Sequence, residues 1–368
     1  MVSLLAVALA ACAGGGGPGG GIEGGGSAGP IVGPVAEPQR HLVAVIVPLS
    51  GPEAGVGSSI ANAASLALAD TGAANVRLSR YDSAGAGGAA AAAAAAVRDG
   101  AGLILGPLLA ADVRAVAPIA RGAGVPVISY SNDSGVAGNG VYVMGFTPAQ
   151  SIARVVAYTR GTGAGRYAAL APSGLYGERA SQALLDAARQ SGGRVTTIET
   201  YQRTPASVKA AAGRIRAKGG ADAVLVADSA RLAALAAPAL GRAQILGTEL
   251  WAADPTLGRT PGLKGALFAA APNLRFAQLA AKYRARYRAA PSRLASLGYD
   301  SVLLVARAAP QWRIGTPFSA RSLVARDGFA GVDGSFRFTR GGTAERLLEV
   351  RQVTATGTQV VSPAGSGF

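Results

Sequence analysis

One cysteine, Cys12, and one histidine, His41, are all that the 368 residues offer of the side chains most used for zinc ligation and for nucleophile-base pairs. A lone cysteine closes no disulfide within the chain, and zinc sites built from Cys and His need several of them. A Ser-His-Asp triad would have to use His41, which opens a strand beside a Gly-rich segment, where an inert role is expected. Acidic residues are also scarce, with 20 Asp and Glu against 35 Lys and Arg, for a formal net charge of +15. Long apolar runs are missing as well. Residues 1–11 are apolar, but a membrane-spanning helix needs about 20 such residues. The glycines of 14–26 follow no strand and open no helix, so they do not form a phosphate loop. Carboxylates at Asp82, Asp133, Asp228 and Glu249 could form a pair, yet strand-end acids more often cap helices or bind ligands. The expectation is a protein that recognises rather than catalyses, with no cofactor and no metal.

What is present begins with the placement of the cysteine. An uncharged apolar run ends in Leu9-Ala10-Ala11-Cys12, the pattern of a secretory signal at its processing site. It resembles a bacterial lipobox, which implies cleavage before Cys12 and attachment of lipid to its sulfur. Residues 1–11 are then a signal peptide. Residues 12–40 are dominated by Gly and Pro and form a tether. Acyl chains bury methylenes at about 0.8 kcal/mol each, so this anchor alone would hold the protein on a bilayer. Ala13 follows the cysteine in place of the Asp that would resemble an inner-membrane retention signal, which points to the outer membrane, with the folded part facing the periplasm.

From residue 41 to 354 short β-rich runs alternate with Ala-rich helical stretches, an α/β rhythm. Strands are expected at 41–47, 76–81, 103–105, 126–129, 167–170, 194–198, 223–226 and 244–246. Helices are expected at 58–70, 89–96, 111–120, 180–190, 205–218 and 276–289. The run 41–47 is apolar on both faces, as in parallel sheets covered by helices. The whole stretch exceeds what one core encloses, so two lobes are expected.

Open α/β sheets bind ligands beyond the carboxyl ends of their strands. There the sequence supplies Ser50, Asp82, Leu108, Leu109, Ser129, Ser131, Asn132, Asp133, Tyr176, Asp228, Glu249 and Trp251. For each, the competing reading is a loop cap or a packing residue.

The order Pro48-Leu49-Ser50-Gly51, Tyr81-Asp82-Ser83, Ile104-Leu105-Gly106-Pro107, Pro126-Val127-Ile128-Ser129, Tyr176-Gly177 and Gly298-Tyr299-Asp300 resembles the type I periplasmic binding proteins, the leucine/isoleucine/valine-binding family. The resemblance implies two Rossmann-like lobes of parallel sheets flanked by helices, joined by three crossovers near 146–149, 269–272 and 330–333. Lobe 1 is then 41–147 plus 273–330, lobe 2 is 148–272 plus 331–354, and 355–368 is a tail. It also implies that Tyr176 packs on a ligand and that the 129–133 loop holds an amino acid's charged groups. One departure is marked. Family members that bind amino acids place a hydroxyl just after the Gly106-Pro107 position, where this chain has Leu108, Leu109, Ala110 and Ala111, which cannot grip a carboxylate.

Ile104-Leu105-Gly106-Pro107-Leu108-Leu109, Ser131-Asn132-Asp133 and Leu246-Gly247-Thr248-Glu249-Leu250-Trp251 resemble more closely the lipoprotein activators of class A penicillin-binding proteins. That resemblance implies a peptidoglycan synthase as protein partner. The alternative is a receptor that delivers a small-molecule ligand to an amino-acid-type ABC transporter. Lys282, Arg284, Arg286 and Arg288 with Tyr283 and Tyr287 form either an anion-attracting patch or, as scattered charges usually do, a solvated helix face. No nucleic-acid recognition motif is present.

Overall fold

The computed structural model describes residues 39–365 and 367–368. The expected signal peptide, Cys12 and nearly all of the tether lie outside the described residues. The folded unit begins with β1 (His41–Val47), α1 (Ala54–Thr71), β2 (Val76–Asp82), α2 (Gly88–Arg98), β3 (Leu103–Leu105), α3 (Ala110–Gly122), β4 (Val127–Ser129) and β5 (Val141–Val143). The five strands form one parallel sheet in the order β2-β1-β3-β4-β5.

The two-sided apolar character of β1 is the reason for this arrangement. Val43, Val45 and Val47 pack on one face with Ile60, Ala61 and Ala64 of α1. Leu42, Ala44 and Ile46 pack on the other with the alanines of α2 and with Val113 and Val116 of α3. Successive strand side chains point to opposite faces, so both faces are covered. In α2, Ala89, Ala92, Ala93 and Ala96 are buried, the spacing of one helical stripe.

The second part runs through α4 (Pro148–Gly161), β6 (Arg166–Pro172), α5 (Leu175–Gln190), β7 (Arg194–Tyr201), α6 (Pro205–Ala217), β8 (Ala223–Val226), α7 (Ala230–Leu240), β9 (Gln244–Gly247) and β10 (Leu267–Ala270). Strand β6 again alternates: Ala168 and Leu170 meet α6 and α7, while Tyr167 and Ala169 meet α4 and α5. The chain then returns as α8 (Leu274–Tyr287) and α9 (Ala295–Ala308). Leu297, Val302, Leu304 and Val305 of α9 join the core of the first sheet.

The last strands depart from the expected division. β11 (Phe329–Gly331), β12 (Gly334–Phe338) and β13 (Ala344–Arg346) form a small antiparallel sheet. Residues 331–346 were expected in the second lobe with a crossover at 330–333. Instead Phe336, Phe338 and Ala344 pack into the first core beside Phe329. The residues read as a crossover form a tight hairpin in which Gly334 takes φ 82°, a conformation that favours glycine. The chain joins the second sheet only at β14 (Glu349–Val353), antiparallel to β10. Residues 355–368 were expected as a tail, but β15 (Thr358–Ser362) extends that sheet to the order β15-β14-β10-β9-β8-β6-β7.

The basic cluster on α8 is partly engaged in packing. Lys282 pairs with Asp70 at 2.8 Å, Tyr283 is buried, and the Tyr287 hydroxyl donates to the carbonyl of Asn62. Among the described residues no helix is long and apolar enough to cross a membrane.

Candidate functional site

A cavity of about 640 Å³ opens beyond the carboxyl ends of β3, β4, β9 and β10. The first sheet contributes Leu108 and Leu109 after β3 and Tyr130 and Asn132 after β4, with Glu53 and Val56 at the start of α1. The second contributes Glu249, Leu250, Ala252 and Ala253 after β9, and Ala270 and Ala271 at the end of β10. Phe146 and residues 291–294 close the remaining side.

The turn that delivers the two leucines depends on Gly106. Its φ is 101°, and a Cβ there would fall 2.0 Å from the Ile46 carbonyl oxygen. No other residue lets β3 end this close to β1. Leu109 is 43% exposed and Leu250 is 38% exposed, so both present apolar surface to the cavity.

The loop after β4 is held by its own hydroxyls. Ser129 Oγ donates to the Pro107 carbonyl at 3.2 Å and accepts from the Ser131 amide at 3.0 Å. Ser131 Oγ accepts from the Asp133 amide at 3.1 Å, and Asp133 accepts from the Gly135 amide at 2.9 Å. These three side chains are buried within the loop and do not line the cavity. The alternation leaves Tyr130 and Asn132 facing the cavity. Of the residues expected to hold charged groups in this loop, only Asn132 lines the site.

Ser50 and Asp82 are likewise structural. The Asp82 carboxylate accepts from the Leu49 amide at 2.8 Å and the Ala84 amide at 2.9 Å. Hydrogen bonds from the Ser50 side chain and these amides hold its pKa below the ordinary value, burial opposing. The pair shapes the turn after β1 and lies outside the cavity wall.

Glu249 lines the cavity with Tyr176 behind it. The Tyr176 hydroxyl lies 2.9 Å from both Thr248 Oγ1 and Glu249 Oε1, and Ser151 Oγ donates to Glu249 Oε2 at 2.5 Å. Burial raises the Glu249 pKa above the ordinary carboxylate value against these hydrogen bonds. Burial and the neighbouring Glu249 raise the Tyr176 hydroxyl well above its ordinary value, so it stays a neutral donor. Tyr176 therefore acts on the site through Glu249.

Asp228 and Trp251 do not line this cavity. Asp228 accepts from the Tyr201 hydroxyl at 3.0 Å and pairs with Arg203 at 2.9 Å. Its carbonyl accepts from the Trp251 indole at 2.8 Å. Trp251 is 1% exposed and packs against Phe268. A buried indole needs a hydrogen-bond partner, and the Asp228 carbonyl supplies it. Both sit where loop propensity reads the same as ligand contact, which is why sequence alone did not separate the two roles.

The structure adds residues the sequence did not nominate: Glu53, Val56, Tyr130, Phe146 and, above all, Arg293. Arg293 precedes α9 in a segment without a motif. Its guanidinium lies 2.7 Å from the fully buried Asp333 and 4.3 Å from the Phe276 ring centroid. Asp300 is buried beside them and accepts from the Val332 amide at 2.7 Å and the Asp333 amide at 3.3 Å. Burial, with the charge of Asp333, raises its pKa to about 7. Arg346 completes the group, donating to the Met144 carbonyl at 2.6 Å and stacking over Phe146 at 4.7 Å.

His41 takes no part. It is buried flat against Trp312, with ring centroids 4.0 Å apart, and burial lowers its pKa. Among the described residues no group of three or more His, Cys, Asp or Glu side chains could hold a metal ion.

A family model described as periplasmic binding protein matches residues 42–358. The chain belongs to the periplasmic binding protein family. The two-sheet architecture is that of the type I periplasmic binding proteins. A candidate branched-chain amino acid ABC transporter structure from Rhodospirillum rubrum is similar, with a TM-score of 0.77 and 23% identity, covering 88% of this chain and 100% of that one. An ABC transporter substrate-binding protein from Desulfitobacterium hafniense, in complex with Leu, gives 0.69 and 20%, covering 88% and 100%. A solute-binding protein from Rhodopseudomonas palustris, in complex with 3,4-dihydroxybenzoic acid, gives 0.68 and 20%, covering 89% and 97%. Among curated proteins, an uncharacterized Rickettsia prowazekii protein is 25% identical over 173 residues, 47% of this chain. The match spans 46% of that relative's length, about half of it. At these identities the solved periplasmic binding proteins establish the shared fold.

Proposed function

We propose that this protein is the solute-binding component of an ABC-type transporter, lipid-anchored through Cys12 and facing the periplasm, and that it recognises a small molecule without transforming it. The observation that carries this reading is the 640 Å³ cavity, whose wall is drawn from the strand ends of both sheets. Its volume falls in the range of small-molecule sites, and its placement follows the rule for open α/β sheets. Similar folds hold a leucine in one protein and an aromatic acid in another, so the fold leaves the choice of ligand to the residues of the cavity.

This reverses the order of the two functions read from the sequence. Regulation of a class A penicillin-binding protein would tolerate a degenerate cleft, whereas the cavity here is lined by side chains from both halves and the similar solved structures are substrate-binding proteins of ABC transporters, which supports the solute-binding reading. The decisive experiment is a thermal-shift screen of residues 39–368 against a broad library of amino acids, organic acids and sugars, followed by calorimetry. It is paired with a pull-down against a purified class A penicillin-binding protein. Saturable stabilisation by a solute is the expected result. Synthase binding with no solute effect would overturn the proposal.

The anchor has its own test. Radiolabelled palmitate should enter the full-length protein in a bacterial host and be lost in Cys12→Ala. Equal labelling of the variant would remove the anchor from the proposal.

A further inference from the structure

The chain passes between the two halves after β5, after β10 and after β13, and at each passage an arginine holds a backbone carbonyl. Arg346 Nη2 donates to the Met144 carbonyl at 2.6 Å at the first. Arg351 Nη2 donates to the Ala271 carbonyl at 2.9 Å at the second, and Arg154 Nε to the Leu348 carbonyl at 2.9 Å at the third. We infer that these arginines are hinge pins: they confine bending between the halves to residues 145–147, 272–273 and the 347–348 link, and hold the free cleft to a narrow range of openings.

Each pin joins groups of the same half. Arg346 ends β13, which packs with the first core, and Met144 lies in that core. Arg351 is on β14, paired with β10, and Arg154 is on α4, whose core takes in Leu348. Holding a carbonyl fixes its whole peptide plane, because the peptide unit is rigid and the chain turns only about φ and ψ. Arg346 and Arg351 are 7% and 3% exposed, so water does not readily replace these charge-assisted bonds. Arg351 keeps its charge beside Glu349, with Nε donating to Oε1 at 2.6 Å. Arg154 pairs with no carboxylate among the described residues. Its Nη2 donates instead to Ser362 Oγ at 2.5 Å and the Pro363 carbonyl at 3.3 Å, which ties the end of β15 to the third passage.

The links left between the pins are short and themselves restricted. A Cβ on Gly145 would fall 2.1 Å from the Ser131 carbonyl oxygen, so this residue lies hard against the loop after β4. The ring of Pro272 fixes its φ. The Leu347 amide donates to the Ser335 carbonyl at 3.2 Å, which leaves the third link little more than one pair of torsions. Few rotations remain to carry a change of angle.

The test measures the spread of openings directly. Residues 39–368 contain no cysteine, so nitroxide labels can be placed through Ala111→Cys on α3 and Glu178→Cys on α5, exposed positions in the two halves. Double electron–electron resonance on this labelled parent without ligand should give a narrow distance distribution. Arg154→Met, which strands no acid, should widen it about twofold, and so should Arg351→Met/Glu349→Gln, which removes a pin together with its counter-ion. Arg307→Met is the control: Arg307 Nη1 donates to the Gly328 carbonyl at 3.1 Å inside the first half, so its loss should leave the width unchanged. Circular dichroism and thermal denaturation check that each variant is folded. Unchanged widths in both pin variants, equal widening in Arg307→Met, or a parent distribution already as broad as theirs would overturn the inference. None of these results bears on solute binding, which the library screen tests separately.

Discussion

Asp133, on the loop after β4, lies 3.3 Å from Arg179 in α5, so a carboxylate of the first sheet is paired with a helix of the second. Asp133 is 4% exposed and also pairs with Arg114 of its own half at 2.7 Å. Gly135 makes room for the cross-contact: a Cβ there would sit 2.3 Å from Arg179 Nη2. Arg179 is 45% exposed, so the pair contributes at most about 1 kcal/mol to stability. Its larger effect is expected on the relative position of the halves. Arg179→Ala should increase the radius of gyration of the unliganded protein in small-angle X-ray scattering and weaken ligand binding several-fold, while Arg114→Ala should not. Superimposable scattering curves for all three proteins would refute this role.

Leu109 separates stability from binding. It is half exposed in the free protein, so Leu109→Ala should change the unfolding free energy by less than about 0.5 kcal/mol. A ligand that covers it would lose several buried methylenes, and its affinity should fall about tenfold. Calorimetry and chemical denaturation on the same preparation check both halves of the statement.

Asp300 gives the protein a distinctive pH dependence. Its carboxyl is raised to about 7 when folded and ionises in the ordinary carboxylate range when unfolded. Between about pH 4 and 7 the native state binds more protons than the unfolded state, so this group's contribution to stability falls as pH rises. The slope is at most about 1.4 kcal/mol per pH unit and flattens above pH 7. The lowered carboxyls of Asp82, Glu199 and Asp222 act in the opposite sense and lose stability only on further acidification. Asp300→Asn should flatten the profile between pH 4 and 7 relative to wild type in urea titrations. An unchanged slope would show that Asp300 is ionised in the folded protein.

Two glycines play the same part in the two halves. A Cβ on Gly57 of α1 would lie 1.8 Å from the Pro48 carbonyl oxygen, and one on Gly177 of α5 would lie 1.8 Å from that of Pro172. Each helix starts directly against the end of the preceding strand, and backbone cannot yield cheaply. Gly57→Ala and Gly177→Ala should each cost about 2–3 kcal/mol, the range of overpacking. Gly213, in α6, has open space at the same test and should tolerate alanine with no loss. Thermal denaturation of the three variants makes the comparison.

Sheet strands were legible because their signal is local. Apolar runs such as 41–47 can be satisfied only between two helical layers, and Gly-bearing turns mark where they end. The hairpin at 329–338 was misread because Gly331 and Gly334 carry the same turn signal whether the chain crosses to another lobe or folds back. The buried phenylalanines Phe336 and Phe338 decide the matter, and only packing reveals which core they join.

The site was less legible for a related reason. Ser129, Ser131 and Asp133 are polar residues at a strand end, which is what a ligand loop and a self-bonded loop both require. Their donors and acceptors are closer to one another than to any ligand, so the local hydrogen bonds prevail. Leu108, Leu109, Asn132 and Glu249 do reach the cavity. Arg293 is more than 150 residues from the Asn132 loop, and no local pattern announces it.

By itself, then, the amino-acid sequence determined the α/β layering, the turns that need glycine and the shortage of catalytic side chains, because each follows from a residue and its near neighbours. Tertiary structure decided which strand-end side chains face the cavity and which single cation joins them, because those choices depend on hydrogen bonds and packing between segments far apart in the chain.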